Sequence, residues 1–330
     1  MKLFIQIPCY NEADALAVTL SSLPRSVSGF DRVVWLVVDD GSTDDTVRVA
    51  RDAGVDHIVS HKRNQGLARA FMTGIRESVR LGADVIVNTD GDNQYCADDI
   101  PALVRPIVEG QADIVVGARP IDSIDHFSPL KKILQKIGSW VVRIVSRTNV
   151  DDVTSGFRAL SRNAARQFVV FNNYTYTLET IIQAGLKNMA VVSVPVRVNG
   201  NLRPSRLIKS VPGYIFNSLA TIVRIFVIYR PFRFFAVIGL FLFGLGFLLG
   251  LRFLYYYFTG NGNGHIQSLV LASILLGMGF QTILVAFVTD LLASNRTLLE
   301  EIRFRQGEPV DANIHHGVDS RHHGDGACGK

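Results

Sequence analysis

Two carboxylates stand one residue apart directly after a mainly apolar run, residues 83–87. The polar stretch that follows reads Asn88-Thr89-Asp90-Gly91-Asp92-Asn93-Gln94. At the end of a buried strand, Asp90 and Asp92 could present oxygens to one hard divalent cation, with Gln94 adding an amide oxygen. The alternative is a solvated acidic turn that binds nothing. The choice between the two depends on what surrounds this turn.

A second acidic run follows another apolar stretch. It reads Asp39-Asp40-Gly41-Ser42-Thr43-Asp44-Asp45. Ser42 or Thr43 can cap a helix expected over residues 46–53, and the two acids after them suit the first turn of that helix. Asp39 and Asp40 have no such structural explanation. They lie at the carboxyl end of a predicted strand, which is where open α/β sheets bind ligands.

Strands and helices alternate five times in the first 120 residues. Near-continuous hydrophobic strands are predicted at residues 3–8, 32–38, 57–60, 83–88 and 112–117, and helical spacing of apolar residues lies between them. Short connections and fully hydrophobic strands are typical of a parallel sheet that is covered on both faces. The sequence therefore predicts a doubly wound α/β domain whose strand ends carry the acids.

Composition indicates a soluble domain joined to a membrane segment. The chain has 330 residues, of which 48% are hydrophobic, and a mean hydropathy of +0.23. Residues 131–230 are mostly basic, which favours contact with anionic headgroups or phosphates. No nucleic-acid recognition module is visible, so nucleic acid is not an expected partner. The three cysteines have no zinc-type spacing and no disulfide framework, which fits a reducing compartment.

Two uncharged stretches, residues 234–251 and 266–289, are predicted to span a membrane. Arginines precede the first stretch at positions 224, 230 and 233 and follow the second at positions 296, 303 and 305. The turn at residues 259–265 has no Lys or Arg, so the positive-inside rule places both ends of this helical hairpin in the cytoplasm. Gly246 and Gly250 form a small-xxx-small face that could pack helices within or between chains.

The sequence predicts a strand near the start of the chain and a disordered tail at its end. Residues 3–7 read as a strand and not as a signal peptide, so the α/β domain is expected to stay in the cytoplasm. Residues 307–330 are polar and contain His315, His316, His322 and His323. We interpret this end as a disordered tail and not as a metal site.

Six motifs occur in the order seen in family 2 glycosyltransferases. They are Ile7-Pro8-Cys9-Tyr10-Asn11-Glu12, Val38-Asp39-Asp40-Gly41-Ser42-Thr43-Asp44, Asn64-Gln65-Gly66, Asp90-Gly91-Asp92-Asn93-Gln94, Gly117-Ala118-Arg119 and Asp152-Val153-Thr154-Ser155-Gly156-Phe157-Arg158. More narrowly, the chain resembles polyprenyl-phosphate glycosyltransferases of the dolichyl-phosphate mannose synthase type over residues 3–210. The hairpin beyond resembles that of membrane-anchored bacterial members, which implies an integral protein of the bacterial cell membrane.

The resemblance implies a GT-A (Rossmann-like) fold and a metal-dependent, inverting transfer of one sugar. The donor would be a UDP or GDP sugar, the cation Mg²⁺ or Mn²⁺, and the acceptor the phosphate of a membrane polyprenyl phosphate. The residues implied for the nucleotide sugar are Pro8, Tyr10, Glu12, Asp39, Asp90 and Gly91, and those for the metal are Asp90, Asp92 and Gln94. Those implied for the acceptor phosphate are Arg119, Lys131, Gln135, Ser205 and Arg206, and those for catalysis are Asp152, Arg119 and Asp92. Lys131 and Gln135 depart from the Arg and Ser of relatives, and Lys cannot reproduce a bidentate Arg contact.

These observations predict six segments along the chain. They are a cytoplasmic GT-A catalytic domain (1–205), interfacial amphipathic helices (206–231), a first transmembrane helix (232–258), an extracytoplasmic turn (259–265), a second transmembrane helix (266–292) and a cytoplasmic tail with a disordered end (293–330). Related enzymes can be oligomeric, so the resemblance allows a homo-oligomer and leaves the assembly open. One alternative is a processive polysaccharide synthase, which is disfavoured because the Gln-x-x-Arg-Trp motif is absent. A second alternative is an inactive nucleotide-sugar-binding membrane scaffold, which the intact Asp90-Gly91-Asp92 disfavours.

Overall fold

The computed structural model describes residues 1–120, 139–140, 142–143, 146, 148–168, 170, 176–199, 223–224, 227–260 and 266–306. The chain divides into two compact units. The described residues of the first lie within 1–199, and those of the second within 223–306.

A mixed β-sheet forms the centre of the first unit. The strands are β1 (Lys2–Cys9), β2 (Arg32–Asp39), β3 (His57–Ser60), β4 (Val85–Asn88), β5 (Ile114–Ala118), β6 (Arg158–Ser161) and β7 (Val191–Pro195). Within the described residues their order across the sheet is β3-β2-β1-β4-β6-β5-β7. All pairings are parallel except those of β6, which runs antiparallel to β4 and to β5. The carboxyl ends of β1, β2, β4 and β5 therefore meet at one edge of the sheet, and β6 begins at that edge.

Helices connect and cover these strands. The helices of the first unit with described bounds are α1 (Ala13–Ser22), α2 (Thr46–Asp52), α3 (Leu67–Arg80), α4 (Ile100–Val108), α5 (Arg162–Gln167) and α6 (Thr177–Leu186). α3 packs against β1 and β2, and α4 packs against β5 and β6. In β1 and β2 every residue after the first is buried, as expected for strands covered on both faces.

The five strands predicted in the first 120 residues are present, but β6 was not predicted. It is four residues long, and its first residue is Arg158, so it has neither the length nor the apolar run that identifies a buried strand. The hydrophobic strands are typical of a parallel sheet, and the sheet is mixed because β6 pairs antiparallel with β4 and β5. β6 separates β4 from β5 and brings the motif before it to the edge where the acids lie.

The predicted cap of α2 is also wrong. The N-cap residue of α2 is Asp45, and its side chain makes no capping hydrogen bond. Instead, Asp44 Oδ1 accepts a hydrogen bond from the backbone N–H of Thr46 at 3.0 Å, and Ser42 Oγ accepts one from the backbone N–H of Asn11 at 2.9 Å. Ser42 thus joins the loop after β2 to the loop after β1.

The second unit contains two long helices, α7 (Pro231–Phe258) and α8 (Ile266–Gln306). By length and composition, α7 and the part Ile266–Arg296 of α8 could each cross a membrane. The helices touch through glycine. A Cβ on Gly279 would lie 2.5 Å from the backbone nitrogen of Phe243, and a Cβ on Gly246 would lie 2.8 Å from that of Leu276. Nothing lies within 4 Å of a Cβ on Gly250, so of the glycine pair only Gly246 packs within the hairpin.

Candidate active site

The loop after β4, residues 89–96, lies at the shared edge of the sheet, and we call it the acidic loop. Asp90 is partly buried, and its pKa is raised to about 7 by burial first and by the charge of Asp92 second. Arg119 lowers the pKa of Asp90, and Glu12 raises it further, so both side chains lie close enough to interact with this carboxyl. Asp92 Oδ1 accepts a hydrogen bond from the backbone N–H of Gln94 at 3.2 Å. The three residues expected to hold a metal are thus neighbours on one tight turn.

The floor of this loop is built from buried polar side chains. Gln6 Nε2 donates to Asn88 Oδ1 at 2.8 Å, and Asn88 Nδ2 donates to the carbonyl of Gly156 at 2.8 Å and to Tyr176 Oη at 2.9 Å. The Tyr176 ring stacks on Phe71 with centroids 3.8 Å apart. Asn88 therefore fixes the end of β4 from which Asp90 projects.

Gly156 brings a second loop directly against Asp90. A Cβ at this position would lie 3.0 Å from both carboxylate oxygens of Asp90 and 3.0 Å from Tyr176 Oη. The backbone N–H of Gly156 donates to Tyr95 Oη at 3.0 Å, and burial raises the pKa of Tyr95 to about 12. A side chain at this position would therefore require Asp90, Tyr176 or the loop itself to shift by a few tenths of an ångström.

The residues expected at the nucleotide line the ends of β1 and β2. Pro8 lies in β1, Tyr10 follows it with 41% of its surface exposed, and Asp39 is the register partner of Cys9. Asp39 Oδ1 accepts a hydrogen bond from the backbone N–H of Ser42 at 2.9 Å. The pKa of the Cys9 thiol is raised well above its usual value by burial and then by nearby acids: Glu12, Asp39, Asp90 and Asp44, in that order. These acids thus surround one point at the end of β1.

Gly91 lies at the same point. A Cβ on Gly91 would lie 3.0 Å from Cys9 Sγ, and the carbonyl of Gly91 accepts a hydrogen bond from Thr19 Oγ1 at 3.1 Å. The acidic loop after β4 therefore rests against the loop after β1 and against α1. Glu12, Asp39, Asp90 and Gly91 therefore lie around Cys9 at the end of β1, and Pro8 and Tyr10 are the neighbours of Cys9 in sequence.

Asp40, for which the sequence offered no structural explanation, has one. It is buried, and its carboxylate accepts hydrogen bonds from the backbone N–H groups of Gln65 and Gly66 at 2.9 and 2.8 Å. His61 Nδ1 lies 2.7 Å from Asp40 Oδ1, and His61 Nε2 lies 3.0 Å from Thr73 Oγ1. Asp40 therefore holds the Asn64-Gln65-Gly66 turn in place.

Arg119 and Asp152 form a buried ion pair beside the acidic loop. Arg119 follows β5, and its Nε and Nη2 donate to the two carboxylate oxygens of Asp152 at 2.7 and 3.2 Å. Thr154 Oγ1 donates to Asp152 at 2.8 Å and accepts from Arg119 Nη2 at 2.9 Å. Burial would raise the pKa of Asp152, but the charge and hydrogen bonds of Arg119, together with Thr154, hold it below its usual value.

Arg158 is an organising residue to which the sequence gave no role. Its side chain is fully buried, and it donates to the carbonyls of Ser155 at 2.8 Å, Val153 at 2.7 Å and Thr177 at 2.8 Å. Burial lowers the pKa of this guanidinium. Arg158 thereby shapes the loop that carries Asp152 and Gly156. A charged residue at the end of the Asp152-to-Arg158 motif was the available signal, but its partners could not be predicted from the sequence.

Four residues expected at the acceptor phosphate, Lys131, Gln135, Ser205 and Arg206, lie outside the described residues. Of that set the structure places only Arg119. Within the described part of the chain, no group of three or more His, Cys, Asp or Glu side chains could hold a metal ion. The carboxylate pair of Asp90 and Asp92 would therefore need further ligands from elsewhere.

Curated relatives are similar to this chain over 59% of its length. An N-acetylglucosaminyltransferase acting from UDP-N-acetylglucosamine on dolichyl phosphate, from Methanococcus voltae, is 27% identical over 217 residues, which cover 59% of this chain and 84% of the relative. An undecaprenyl-phosphate mannosyltransferase from Micrococcus luteus is 29% identical over 207 residues, which cover 59% of this chain and 83% of the relative.

A solved structure of glucosyl-3-phosphoglycerate synthase from Mycobacterium tuberculosis, in complex with Mn²⁺, UDP and glucosyl-3-phosphoglycerate, has the same fold. It superposes with a TM-score of 0.53 at 19% identity, covering 68% of this chain and 78% of the other. The expected GT-A fold is confirmed. The sequence family described as glycosyl transferase family 2 matches residues 4–169, about half of the 330 residues. The chain belongs to glycosyl transferase family 2, and it is a glycosyltransferase.

Proposed function

We propose that this enzyme transfers a single sugar from a UDP or GDP sugar to the phosphate of a membrane polyprenyl phosphate, with inversion at the anomeric carbon. Relatives named for transfer to undecaprenyl phosphate and to dolichyl phosphate support this acceptor class. The carrying observation is that a carboxylate pair, Asp90 and Asp92, lies beside the Arg119–Asp152 ion pair at one edge of the sheet. Asp90 and Asp92 would bind a cation together with the donor diphosphate, and Arg119 would bind the acceptor phosphate.

The donor set of the acidic loop fits Mg²⁺ or Mn²⁺. Asp90, Asp92 and Gln94 offer only oxygen ligands, which these hard cations prefer. The pKa of Asp90 is raised to about 7 by burial and by the negative charge of Asp92. A bound cation would offset the repulsion between these two carboxylates. When bound, the cation would neutralise the charge that develops on the departing diphosphate. Diphosphate oxygens would supply the ligands that the protein does not.

Pro8, Tyr10, Glu12 and Asp39 would form the nucleotide end of the donor pocket. They lie at the ends of β1 and β2, and Gly91 rests against the loop after β1. The Tyr10 ring is 41% exposed, and an aromatic ring at this position would pack against a base. The sugar would then lie towards Asp90 and Arg119.

Arg119 would bind the acceptor phosphate, and Asp152 would hold Arg119 in position. Asp152 and Thr154 take the Nε and Nη2 side of the guanidinium, so Nη1 is the nitrogen we expect to meet the phosphate. A phosphate monoester has a second pKa of about 6 and is largely dianionic at pH 7, so its oxygen can attack without a strong base. The lowered pKa of Asp152 makes it a poor base and a good counterion. Lys131, Gln135, Ser205 and Arg206 remain proposed phosphate contacts.

The two apolar helices would anchor the enzyme in the membrane beside its lipid acceptor. Arg224, Arg230 and Arg233 lie at or before the start of α7, and Arg296 lies beyond the apolar part of α8. This distribution supports a catalytic domain on the cytoplasmic face. We propose the same boundaries for this arrangement: a catalytic domain over residues 1–205, interfacial helices over 206–231 and membrane helices over 232–258 and 266–292.

The proposed function is tested with membranes that carry the protein. They are incubated with labelled UDP or GDP sugars, a polyprenyl phosphate and Mg²⁺ or Mn²⁺. We expect one donor to give a lipid-soluble product that releases a single sugar on mild acid treatment, and we expect EDTA to abolish it. A sugar polymer would indicate a processive synthase. Absence of product with every donor would overturn the proposal.

Asp92→Ala tests the proposed metal ligand, and Asp45→Ala is its matched control. We expect Asp92→Ala to abolish transfer while the protein still inserts in the membrane and keeps its thermal unfolding midpoint. Asp45→Ala changes an exposed carboxylate that pairs with Arg48 at the start of α2, so it should leave transfer unchanged.

A further inference from the structure

The segment 197–199 crosses the acidic loop immediately after its proposed metal-binding residues. Tyr95 pairs with Val198 in an isolated antiparallel bridge, and the backbone N–H of Cys96 donates to the carbonyl of Arg197 at 3.3 Å. We call residues 197–199 the clamp segment. It is more than ninety residues away in sequence from the loop it crosses.

Asn199 makes the densest contact of the clamp segment. Its Nδ2 donates to the carbonyls of Asn93 at 3.1 Å and Tyr95 at 3.2 Å, and its backbone N–H donates to the carbonyl of Gln94 at 2.9 Å. Three consecutive carbonyls of the loop are therefore bound by a single residue. Both hydrogens of the amide nitrogen are used, so the side chain has one orientation that satisfies them.

One residue of the loop has an unusual backbone conformation that these contacts hold. Asn93 has a φ of 57°, in the left-handed region, which residues other than glycine adopt uncommonly and asparagine more readily than most. It lies between Asp92 and Gln94, so its conformation sets the relative positions of the carboxylate and the amide. Strained conformations of this kind persist where surrounding contacts hold them.

The clamp segment is itself tied to the body of the first unit. The backbone N–H of Arg197 donates to Asp99 Oδ2 at 2.7 Å, and its Nε and Nη2 donate to Asp99 Oδ1 at 3.0 and 2.7 Å. The Arg197 side chain is 65% exposed, so this ion pair is solvent-screened, whereas Asn199 is partly buried against the loop. The two residues thus differ in what they hold: Arg197 holds the segment, and Asn199 holds the loop.

We propose that Asn199 is a positioning residue for the cation site, fixing Asp92 and Gln94 through the carbonyls on either side of Gln94. This inference rests on the proposed function, because it takes these residues as cation ligands. Residues that orient metal ligands from outside commonly change metal affinity by about 10- to 100-fold when removed. The clamp segment also leads directly to residues 200–209, which contain the proposed acceptor residues Ser205 and Arg206.

The test measures Mn²⁺ binding to the purified full-length protein in the presence of UDP or GDP, by the electron paramagnetic resonance signal of free Mn²⁺. We expect Asn199→Ala and the similarly sized Asn199→Leu to weaken Mn²⁺ binding by about tenfold or more. Arg197→Ala removes the side-chain bridge to Asp99 and leaves the contacts of Asn199, so it should stay within about twofold of the wild type. Nucleotide binding without metal should not change in any variant.

Three outcomes separate the possibilities. Wild-type Mn²⁺ affinity in Asn199→Ala and Asn199→Leu would overturn the positioning role, as would an equal loss in Arg197→Ala. If the wild-type protein binds no Mn²⁺ with either nucleotide, the proposed function fails first, and the role of Asn199 falls with it. Thermal unfolding checks that each variant is folded, and if the alanine variant is not, the leucine variant carries the comparison.

Discussion

Gln6 and Asn88 are register partners on β1 and β4, and Gln6 Nε2 donates to Asn88 Oδ1 at 2.8 Å with both residues fully buried. Arg158 on β6 is the register partner of Asn88 on its other side. A row of three polar residues therefore crosses three adjacent strands directly beneath the acidic loop. Buried polar groups are costly when they are not hydrogen-bonded, so this row fixes the geometry above it.

Asn88→Ala should destabilise the first unit. The substitution removes the acceptor of Gln6 Nε2 and the donor to Tyr176 Oη and to the carbonyl of Gly156. Leaving buried polar groups without these partners is expected to cost about 2–3 kcal/mol. The measurement is the thermal unfolding midpoint of the purified protein, which should fall, while Gln111→Ala at an exposed position should leave it unchanged. An unaltered midpoint for Asn88→Ala would mean that the row is not structurally important.

Local sequence was sufficient to predict the strands that lead to the acids, but not the contacts between distant residues. β4 and the Asp90-Gly91-Asp92 turn follow from an apolar run that ends in acids. The partners of Asn88 lie 82 residues away at Gln6 and 68 residues away at Gly156, so they depend on sheet register. Asp40 resembles a ligand in sequence because its partner His61 is 21 residues away, directly after β3. β6 was not predicted because a four-residue segment is too short to show the hydrophobic pattern of a strand or the direction in which it pairs.

Asp152 should not behave as a general base. Its pKa is held below the usual value because Arg119 and Thr154 outweigh the effect of burial. A carboxyl whose pKa is lowered by folding adds stability above its unfolded pKa of about 3.9, and that stability is lost only as pH falls through the lower folded pKa. Asp152 is therefore ionised throughout pH 5–8. A bound cation would lower the pKa of Asp90 from about 7, so we expect the acid limb of the rate profile at saturating Mg²⁺ or Mn²⁺ to follow the acceptor phosphate, with a pKa of about 6.

The Asp152→Asn variant separates the two roles. Its residual rate should keep the same acid limb, while the KM for the lipid phosphate rises and kcat falls by about 100-fold as Arg119 loses its counterion. Thr154→Ala, which removes a weaker contact with the same pair, should show a smaller change of the same kind. An acid limb that disappears in Asp152→Asn would identify Asp152 as the base.

The hairpin of α7 and α8 should depend on Gly279 and not on Gly277. A Cβ on Gly279 would lie 2.5 Å from the backbone nitrogen of Phe243, whereas nothing lies within 4 Å of a Cβ on Gly277. Gly279→Leu must force the helices apart, at an expected cost of about 1–3 kcal/mol. Gly277→Leu, at the same depth of the same helix, is the matched control. Thermal unfolding in detergent should separate the two variants, and equal midpoints would contradict the observed packing.

Gly156→Ala should inactivate the enzyme with little loss of stability. The added Cβ would lie 3.0 Å from both carboxylate oxygens of Asp90 and from Tyr176 Oη, so either Asp90 or the loop before β6 must move. Because that loop also carries Asp152, a shift of a few tenths of an ångström would separate the carboxylate pair from Arg119. We expect transfer to fall by about 100-fold, since small misplacements of reacting groups have effects of this size. Gly244→Ala adds a Cβ in open space and should leave activity unchanged, so full activity in Gly156→Ala would show that the close approach to Asp90 is not needed for transfer.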